Sequence, residues 1–321
     1  MNPVIIHLLC FALVNLAIVL LGYPVIQQKA ALLSWLILII SIGGIHLMFL
    51  NENPVLRMLA IIATTFTAMK VIAVAEGYKN KPLTLQFKNW VVFAIGWAGM
   101  RAQPFETLGE KALPNAWPMI WFGISRIFAG LVLIATAHGL VTLPLNGALV
   151  YISTSAILLV GFSLILHFGL LSISAGNWRL QGVNTYLLFR QPIKATSLTE
   201  FWSKRWNLAF SEMTSVAVFR PLKNKIGNGM ALMVSFIFSG LLHELALSMP
   251  VNSGYGLPTL YFIIQGTVVL VEKAFISHKI NFLQRKVISR IWTLFWVIAP
   301  MPLLFHGQFI RQVVWLLAGL W

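Results

Sequence analysis

Eight long apolar stretches follow one another along most of this 321-residue chain. A helix needs about 20 apolar residues to cross the hydrocarbon core of a bilayer, so each stretch predicts one membrane-spanning helix. The predicted spans are residues 3–26, 30–50, 55–75, 118–142, 148–173, 227–249, 257–276 and 288–305. The first stretch has no basic region before it and is too long for a signal peptide, so we interpret it as a span. The sequence therefore predicts an all-α polytopic membrane protein with about eight transmembrane helices around a central cavity.

The composition agrees with this prediction. Only 10% of the residues are charged, against roughly 25% in soluble domains, and 59% are hydrophobic. The single cysteine, Cys10, excludes an internal disulfide and a cysteine-based metal site. No polar linker interrupts the apolar stretches, so we expect one membrane-embedded domain over residues 1–321, with its motif core at residues 195–250.

The charges are strongly unequal, because 23 Lys and Arg residues oppose 8 Asp and Glu residues and leave a net charge of +15. In a membrane protein such an excess marks cytoplasmic loops that face anionic lipid. The basic segments 174–226 and 277–290 are therefore predicted to be cytoplasmic, and the uncharged loops 142–147 and 251–254 to lie on the opposite side. No basic helix with base-reading residues stands out, so we expect no nucleic-acid partner.

Two apolar pieces are too short to span a bilayer unaided. Residues 91–100 are preceded by the three lysines of residues 76–90, which fall on the cytoplasmic side only if 91–100 does not cross. We therefore predict a re-entrant or interfacial helix there. The tail 309–321 is predicted to be a half-span or an interfacial helix, with Trp315 and Trp321 as aromatic belt residues.

The segment before the span 227–249 combines cations with aromatic side chains. Ser197-Leu-Thr-Glu200 is a capping-box pattern, which predicts a helix that begins at about Thr199. Apolar residues then recur at helical spacing, at Trp202, Trp206, Ala209 or Phe210, Met213, and Val216 or Ala217. This pattern predicts an amphipathic helix over residues 201–222 that lies in the cytoplasmic interface.

Two interpretations of this amphipathic helix stay open. In one, the helix is an interfacial anchor whose cations, Lys204 and Arg205, extend towards the membrane surface. In the other, these cations attract the phosphates of a cosubstrate such as coenzyme A. Asn207 projects from the flank of the helix, from where its side chain can turn into the protein.

The span 227–249 carries a polar face. Ser235, Ser239 and His243 recur every four residues and therefore share one side of the helix. Gly240 beside them lets another helix or a ligand approach closely. An ionisable residue inside a span is a functional hypothesis by default, and the alternative is a structural histidine that bonds to a neighbouring helix.

No metal site is predicted. The His-Glu pair at 243–244 would suggest the metalloprotease pattern H-E-x-x-H, but the second histidine is replaced by Leu247. The other histidines, including His138 and His167, form no ligand spacing. A nucleophile elbow and a phosphate-binding loop are also absent from the sequence. Arg126 and Glu272 fall inside predicted spans, where we interpret them as structural pairs or cavity-lining residues.

The two motifs of the core resemble, as a pair, the membrane-bound O-acyltransferase family, and most of all its wax synthase branch. Members of that branch typically carry S-L-x-x-F-W-x-[RK]-R-W-N and then S-G-x-x-H-E in a span. The matching residues here are Ser197, Leu198, Phe201, Trp202, Lys204, Arg205, Trp206, Asn207, Ser239, Gly240, His243 and Glu244. One departure is Ser203, where plant wax synthases usually have glycine.

The resemblance implies an acyltransferase in which His243 is the catalytic histidine and Asn207 its partner. Acyl transfer from a thioester to an alcohol requires that the hydroxyl loses its proton as it attacks, and a neutral imidazole is the natural base near pH 7. The negative charge that develops on the carbonyl oxygen needs a positioned donor, which an Asn amide can supply. We therefore expect direct transfer from acyl-CoA to a lipophilic alcohol, without an acyl-enzyme.

The same resemblance assigns the surrounding residues. The acyl-CoA cosubstrate is expected to meet Lys204, Arg205, Trp202 and Trp206. The substrate cavity is expected to be lined by Ser239, Ser235, Gly240 and Glu244. We expect the bilayer and the alcohol as partners, no obligatory protein partner, and a location in a bacterial plasma membrane or the endoplasmic reticulum.

Two rival functions remain at this stage: a transporter or channel with a polar intramembrane site, and a structural assembly subunit. The acceptor is also open among long-chain alcohols, sterols, glycerides and small polyols. Topology adds a constraint, because His243 is predicted near the non-cytoplasmic end of its span and Asn207 at the cytoplasmic surface. If the two act together, the helix 201–222 must descend into the membrane or a deep cavity must surround the span.

Overall fold

The computed structural model describes residues 3–278 and 285–320, and every regular element in these ranges is helical. Eight of the described helices are long and apolar enough to cross a membrane, which confirms the eight predicted spans. We number them together with one short helix, α4, in chain order. They are α1 (Pro3–Gln27), α2 (Ala31–Met48), α3 (Pro54–Gly77), α4 (Phe87–Gly96), α5 (Ala116–Val141), α6 (Gly147–Leu180), α7 (Asn228–Ser248), α8 (Leu257–Ser277) and α9 (Lys286–Leu304).

The contacts between residues divide the chain into two compact units. The first comprises Met1–Ala102 and Arg190–His306, and the second comprises Gln103–Phe189 and Gly307–Trp321. The motif core, residues 195–250, lies entirely in the first unit. No shift in composition marks this division in the sequence, because both units are built from apolar helices.

The second unit is organised around α5 and α6, which approach closely through glycines. A Cβ atom on Gly123 would lie 2.7 Å from the carbonyl oxygen of Gly169, so a larger residue would push the two helices apart. In the C-terminal tail, the indole of Trp315 donates a hydrogen bond to the Ser155 hydroxyl at 2.9 Å. Trp315 is therefore hydrogen-bonded to α6, and its place in an aromatic belt stays a prediction. Trp321, the other predicted belt residue, lies outside the described residues.

In the first unit, α3 is the most enclosed span, since 72% of its apolar window is buried against at most 39% for the other spans. The short helix α4 packs beside it. α4 has 10 residues and is therefore only about 15 Å long, roughly half of the hydrocarbon core. This length confirms the prediction that the apolar piece at 91–100 does not form a span of its own.

A buried lysine holds the end of α4. The Nζ atom of Lys70, on α3, donates to the carbonyl oxygens of Phe93 and Ala94 at 3.1 and 2.7 Å and also to that of Trp97. The Phe93 carbonyl also accepts the N–H of Trp97 at 3.3 Å, and the negative end of the helix dipole favours a cation at these last carbonyls. Only 4% of the Lys70 side chain is exposed, so the ammonium group serves as a cap inside the protein.

The contacts of Arg57 show the relative direction of α3 and α7. Arg57, at the start of α3, donates to the carbonyl oxygen of Pro250 at 3.4 Å and to the side chain of Asn252 at 3.1 Å, just after the end of α7. The start of α3 therefore lies beside the end of α7, and the two helices are antiparallel. This is the relative direction that the predicted alternation of the spans requires.

The predicted amphipathic helix over residues 201–222 is wrong as a single element. The chain forms a short helix at Leu198–Glu200, a π-helical turn at Phe201–Arg205, and then a break before the helix Leu208–Thr214. A second π-helical turn and the helix Arg220–Ile226 follow. The break occurs because Asn207 adopts a left-handed conformation, with φ at 45°, that cannot continue a right-handed helix.

The location of this segment in the cytoplasmic interface stays a prediction. One side of the segment packs into the first unit, since Ala209 and Met213 are completely buried, whereas Ser203 and Lys204 are exposed. The capping box is present in part: the Ser197 hydroxyl oxygen accepts the N–H of Glu200 at 3.0 Å, as predicted. The reciprocal bond is replaced, because the Glu200 carboxylate accepts from Thr196 instead.

Candidate active site

Helix α8 contacts the first motif at three positions along its length. Near the end of α8, the Glu272 carboxylate accepts the N–H of Leu198 at 3.0 Å, where the motif begins. Two turns earlier on α8, the Gln265 side chain accepts the indole N–H of Trp202 at 3.1 Å. Further towards the start of α8, the ring of Phe262 lies 5.5 Å from that of Trp202.

These contacts bear on the difference in depth that the sequence predicts between Asn207 and His243. Phe262 and Glu272 are ten residues apart on one helix, which corresponds to about 15 Å along its axis or half of the hydrocarbon core. The motif segment therefore descends alongside α8 from the level of Glu272 to the level of Phe262. The Phe262 ring also lies 4.4 Å from the His243 imidazole, so this descent brings the segment to the histidine.

Asn207 uses one half of its side chain to start the next helix. Its Oδ1 atom accepts the backbone N–H of Phe210 at 3.3 Å, which caps the helix Leu208–Thr214. Asparagine suits this position because it tolerates a left-handed backbone better than most residues and its short side chain reaches the first turn. Among the described residues, no group accepts a hydrogen bond from the Nδ2 amide, so this donor is available to a substrate.

His243 is held in one tautomer by its own helix. Its Nδ1 atom lies 2.7 Å from the carbonyl oxygen of Ser239, and a carbonyl can only accept, so Nδ1 carries the proton. In the neutral ring, Nε2 is then the unprotonated nitrogen. Nε2 bonds to no group in residues 3–278 and 285–320, and the side chain as a whole is half-buried.

Phe210 links the two residues. It follows Asn207 in the first turn of the capped helix, and its ring packs edge-on against the His243 imidazole at 5.4 Å. Within the described part of the chain, His243 and Asn207 share no hydrogen bond. Phe210 thus contacts both predicted catalytic residues, Asn207 through its backbone N–H and His243 through its ring.

Three phenylalanines of this site were missed by the sequence reasoning. Phe210 was recognised only as part of an apolar stripe, and Phe262 and Phe66 were not singled out at all. Phe66, on α3, lies 6.4 Å from the ring of Phe210 and completes the aromatic wall. No sequence signal identifies Phe66 or Phe262, because their contacts join residues that are far apart in the chain.

The two predicted coenzyme-binding cations differ in their environments. Arg205 donates to the Glu200 carboxylate at 2.6 and 2.8 Å, and also to the carbonyl oxygens of Arg190 and Gln191. Its donors are therefore engaged in holding the segment together. Lys204 is exposed.

Glu200 responds to these contacts. Burial alone would raise the pKa of the Glu200 carboxyl, but hydrogen bonds from the Thr196 N–H, from Arg205 and from the Thr196 hydroxyl favour the ionised form. The net effect is a pKa below the ordinary value of a glutamate. Glu200 is therefore a stable anionic partner of Arg205 at neutral pH.

The aromatic residues assigned to the coenzyme are anchored differently. Trp202 is tied through its indole to Gln265, whereas the ring of Trp206 stacks on that of Phe201 at 5.7 Å with an interplanar angle of 12°. Both residues are partly buried. Through these two contacts the tryptophans help to hold the segment in its conformation.

The serines predicted to line a cavity bond to their own helix. The hydroxyls of Ser235 and Ser239 donate to carbonyl oxygens four residues earlier, at 2.8 and 3.0 Å. A Cβ atom on Gly240 would lie 2.7 Å from the Cα of Thr259, so this glycine serves a close approach of α7 and α8. The predicted cavity itself stays a prediction.

Glu244 also turns towards α8. Its Oε1 atom accepts the backbone N–H groups of Gly256 and Thr259, both at 3.0 Å, and the Thr259 hydroxyl at 2.9 Å. These groups form the start of α8. Glu244 was predicted to line the substrate cavity, but its bonded oxygen caps a neighbouring helix.

Three other ionisable residues contact groups of the surrounding helices. Glu272 accepts backbone N–H groups and the Trp292 indole at 3.1 Å, which agrees with the prediction of a structural role. The Arg126 guanidinium lies 4.9 Å from the centre of the Phe122 ring, and His138 donates to the carbonyl oxygen of Ala318 at 2.7 Å. In the described ranges, no group of three or more His, Cys, Asp or Glu residues is arranged to hold a metal ion.

Comparison with known proteins identifies the same region. Residues 186–264 match the model of the membrane bound O-acyl transferase family. The chain is 32% identical over 138 residues to the probable long-chain-alcohol O-fatty-acyltransferase 9 of Arabidopsis thaliana, which covers 39% of this chain and 40% of the relative. It is 29% identical over 146 residues to the long-chain-alcohol O-fatty-acyltransferase of Simmondsia chinensis, which covers 41% of each chain.

These alignments span about two fifths of the length of the relatives that the chain matches. The family match includes all of the motif residues from Ser197 to Glu244, together with the start of α8 that holds them. The region of similarity thus contains His243, Asn207 and Phe210, the residue that contacts both. Through this region the chain is similar to the membrane bound O-acyl transferase family and to the plant long-chain-alcohol O-fatty-acyltransferases.

Proposed function

We propose that this protein transfers an acyl group from acyl-CoA to the hydroxyl of a long-chain alcohol. One observation carries the proposal: each of the two motif residues has one polar atom tied to the backbone and its complementary atom available. Ser239 fixes the proton of His243 on Nδ1 and leaves Nε2 as a base, while Phe210 fixes Oδ1 of Asn207 and leaves Nδ2 as a donor. A base and a donor are the two groups that direct acyl transfer requires.

In the proposed reaction, Nε2 of His243 accepts the proton of the alcohol as its oxygen attacks the thioester carbonyl. The Nδ2 amide of Asn207 donates to the carbonyl oxygen, which gains negative charge in the tetrahedral intermediate. When the intermediate collapses, the C–S bond breaks and the imidazolium returns its proton to the leaving thiolate. The products are the ester and coenzyme A with a free thiol, and the histidine is neutral again.

The aromatic rings give this site its preference for lipophilic substrates. Phe210 and Phe262 pack against the imidazole, and Phe66 lies behind Phe210. Such a wall offers no hydrogen-bond partner to water or to a polar acceptor, but it accommodates an alkyl chain. The names of the related plant proteins support the same acceptor, a long-chain alcohol.

The structure changes the proposal for the coenzyme. Because Arg205 is engaged by Glu200 and two carbonyl oxygens, we assign it to holding the segment, and we assign the attraction of coenzyme A phosphates to the exposed Lys204. Trp202 and Trp206 fix the orientation of the turn that bears both cations. Lys204→Ala is therefore expected to raise the KM for acyl-CoA more than it lowers kcat.

The test is an assay of membranes from cells that express the chain, supplied with labelled palmitoyl-CoA and hexadecanol. Wax ester is expected from the wild type, and His243→Ala is expected to lower its formation by about 10²–10⁴-fold, the range for general acid–base catalysis. His278→Ala, at an exposed histidine beyond α8, serves as the matched control. Wild-type ester formation in the His243→Ala variant would overturn the mechanism. A cholesterol or diacylglycerol ester in place of wax ester would overturn the acceptor.

A further inference from the structure

The carboxylate next to the histidine serves as the cap of another helix. α8 begins after Gly256, which has no side chain that could accept the first N–H groups of the helix. Glu244 accepts two of these N–H groups from across the interface between α7 and α8. An anionic oxygen at the positive end of a helix dipole is a favourable cap, so Glu244 supplies what the sequence at 256 lacks.

The clamp consists of the hydrogen bonds from the Thr259 N–H and hydroxyl to Glu244, and it joins α7 to α8 next to His243. Thr259 lies one turn before Phe262 on α8, and the Phe262 ring packs at 4.4 Å against the imidazole of His243. His243 in turn precedes Glu244 in the chain. The clamp therefore sets the position of α8 along α7, and with it the position at which the Phe262 ring contacts the His243 imidazole.

Two further features of α7 lie next to this clamp. Helix α7 changes to π-helical geometry at Glu244–Ser248, directly after His243. Wider turns of this kind are less regular than an α-helix and often occur at functional sites. One turn before Glu244, Gly240 lies against the backbone of Thr259, so the two helices touch on the face from which Glu244 reaches α8.

The bonding is confined to one oxygen of the carboxylate. All three hydrogen bonds from α8 reach Oε1, whereas Oε2 is buried and has no hydrogen-bond partner in the described part of the chain. The clamp thus uses Glu244 as an acceptor at a single atom. A glutamine side chain carries an equivalent acceptor oxygen without the charge.

We propose that Glu244 is a positioning residue that orients His243 by capping α8 through the clamp with Thr259, and that it acts as a hydrogen-bond acceptor rather than as a charge. This inference rests on the proposed acyl transfer, because orientation is measured through the turnover of that reaction. It does not require Glu244 to touch a substrate. A displacement of about 1 Å at a reacting group can cost about 10²-fold in rate, so a loosened clamp has a measurable effect.

The experiment compares three variants in detergent-purified protein, with folding checked by gel filtration and thermal unfolding. Glu244→Ala is expected to lower kcat about 10–100-fold while the KM for acyl-CoA changes less than about twofold. Glu244→Gln is expected to recover most of that loss and to keep the pH profile of kcat. Thr259→Val removes only the hydroxyl bond and is expected to lower kcat about fivefold, as for one hydrogen bond.

Each result decides the proposal. If a folded Glu244→Ala variant keeps full kcat, the clamp does not position His243. If Glu244→Gln is as impaired as Glu244→Ala, or displaces the pH profile, Glu244 acts through its charge and the proposal is overturned. If Glu244→Ala does not fold, Thr259→Val decides, since an unchanged kcat in that variant overturns the clamp and a reduced kcat supports it.

The control is Glu110→Ala, at an exposed glutamate in the second unit. The failure of the proposed function is distinguishable from the failure of this inference. A wild-type protein that forms no ester overturns both. A wild type that forms ester and loses it in His243→Ala, combined with full activity in Glu244→Ala, overturns only the positioning role.

Discussion

The two halves of the motif pair are each fixed to α8 by a glutamate, but the two glutamates are used differently. Glu272 projects from α8 and accepts the N–H groups of Leu198 and Thr199, where the first motif begins, and also the Trp292 indole N–H. Glu244 projects from the second motif and accepts the N–H groups that begin α8. The start of α8 is thus capped by Glu244, whereas Glu272, near the end of α8, caps the short helix that begins at Leu198.

The difference lies in the number of oxygens engaged. Both oxygens of Glu272 accept hydrogen bonds, and only 2% of the residue is exposed. Glu244 uses Oε1 alone and leaves Oε2 without a partner in the described residues. We infer that Glu272 mainly stabilises the fold, so that its removal lowers the unfolding free energy. Glu244, next to His243, mainly positions that residue, so that its removal lowers kcat.

The largest effect on unfolding free energy is expected when Glu272 is replaced. Glu272→Ala removes the acceptor of the buried Leu198 N–H, of the Thr199 N–H and of the Trp292 indole N–H, and a buried donor without an acceptor costs about 1–3 kcal/mol. We expect unfolding free energy to fall by about 3–5 kcal/mol, measured by thermal or denaturant unfolding in detergent. Glu110→Ala is the exposed control. A change below about 1 kcal/mol in Glu272→Ala would remove the distinction between the two glutamates.

The second prediction separates conformation from chemistry at Asn207, which serves both. Asn207→Gly preserves the left-handed backbone at φ 45°, because glycine adopts it without strain, but it removes the Nδ2 donor. We expect a folded protein whose kcat falls by about 10²–10³-fold, as for the loss of one oxyanion donor.

The matched control is Asn115→Gly, since Asn115 is also left-handed, with φ at 65°, and is exposed at the start of α5. Ester formation should be unchanged in that variant. If Asn207→Gly retains wild-type kcat, Asn207 is a helix cap only, and the first motif contributes structure rather than a catalytic group.

Much of this architecture is predictable from the sequence, because it depends on local properties. Length and apolarity identify all eight spans, since a helix in a bilayer satisfies its backbone within itself. The Ser197 cap is also visible, because it joins residues three apart. The half-length helix α4 follows from the shortness of its apolar stretch and the lysines before it.

The contacts that assemble the site are not predictable in this way. Glu272 bonds to Leu198 across 74 positions, and Glu244 bonds to Thr259 across 15, so no periodicity or local motif encodes either contact. The break at Asn207 was missed because the apolar stripe on both sides favours a continuous helix, whereas the cap and the burial of the segment outweigh that preference. The resemblance identified the motif residues, but only the fold explains how they meet.

A third helix end that is capped by a distant side chain tests whether such caps matter outside the motifs. Lys70→Met removes the ammonium group that binds the last carbonyls of α4. We expect unfolding free energy to fall by about 2 kcal/mol, because buried carbonyls lose a charged partner, while kcat in the remaining folded protein is unchanged. Lys88→Met, at an exposed lysine of the same helix, is the control. A tenfold loss of kcat would connect α4 to the reaction and contradict the contrast between motif and scaffold.

The smallest expected effect concerns the surface end of the first motif, where Glu200 pairs with Arg205. Because the pKa of Glu200 lies below its ordinary value in the folded protein, the ionised carboxylate stabilises the fold at pH values above the ordinary glutamate pKa. This contribution is lost as the pH falls through the lowered pKa and the carboxyl becomes protonated. The pair is partly exposed, so solvent screening limits it to about 1 kcal/mol or less. The difference in melting temperature between wild type and Glu200→Gln should therefore shrink between pH 7 and the acid range. A constant difference would mean that Glu200 stabilises the segment through the acceptor geometry that Glu244 is proposed to use, and not through charge.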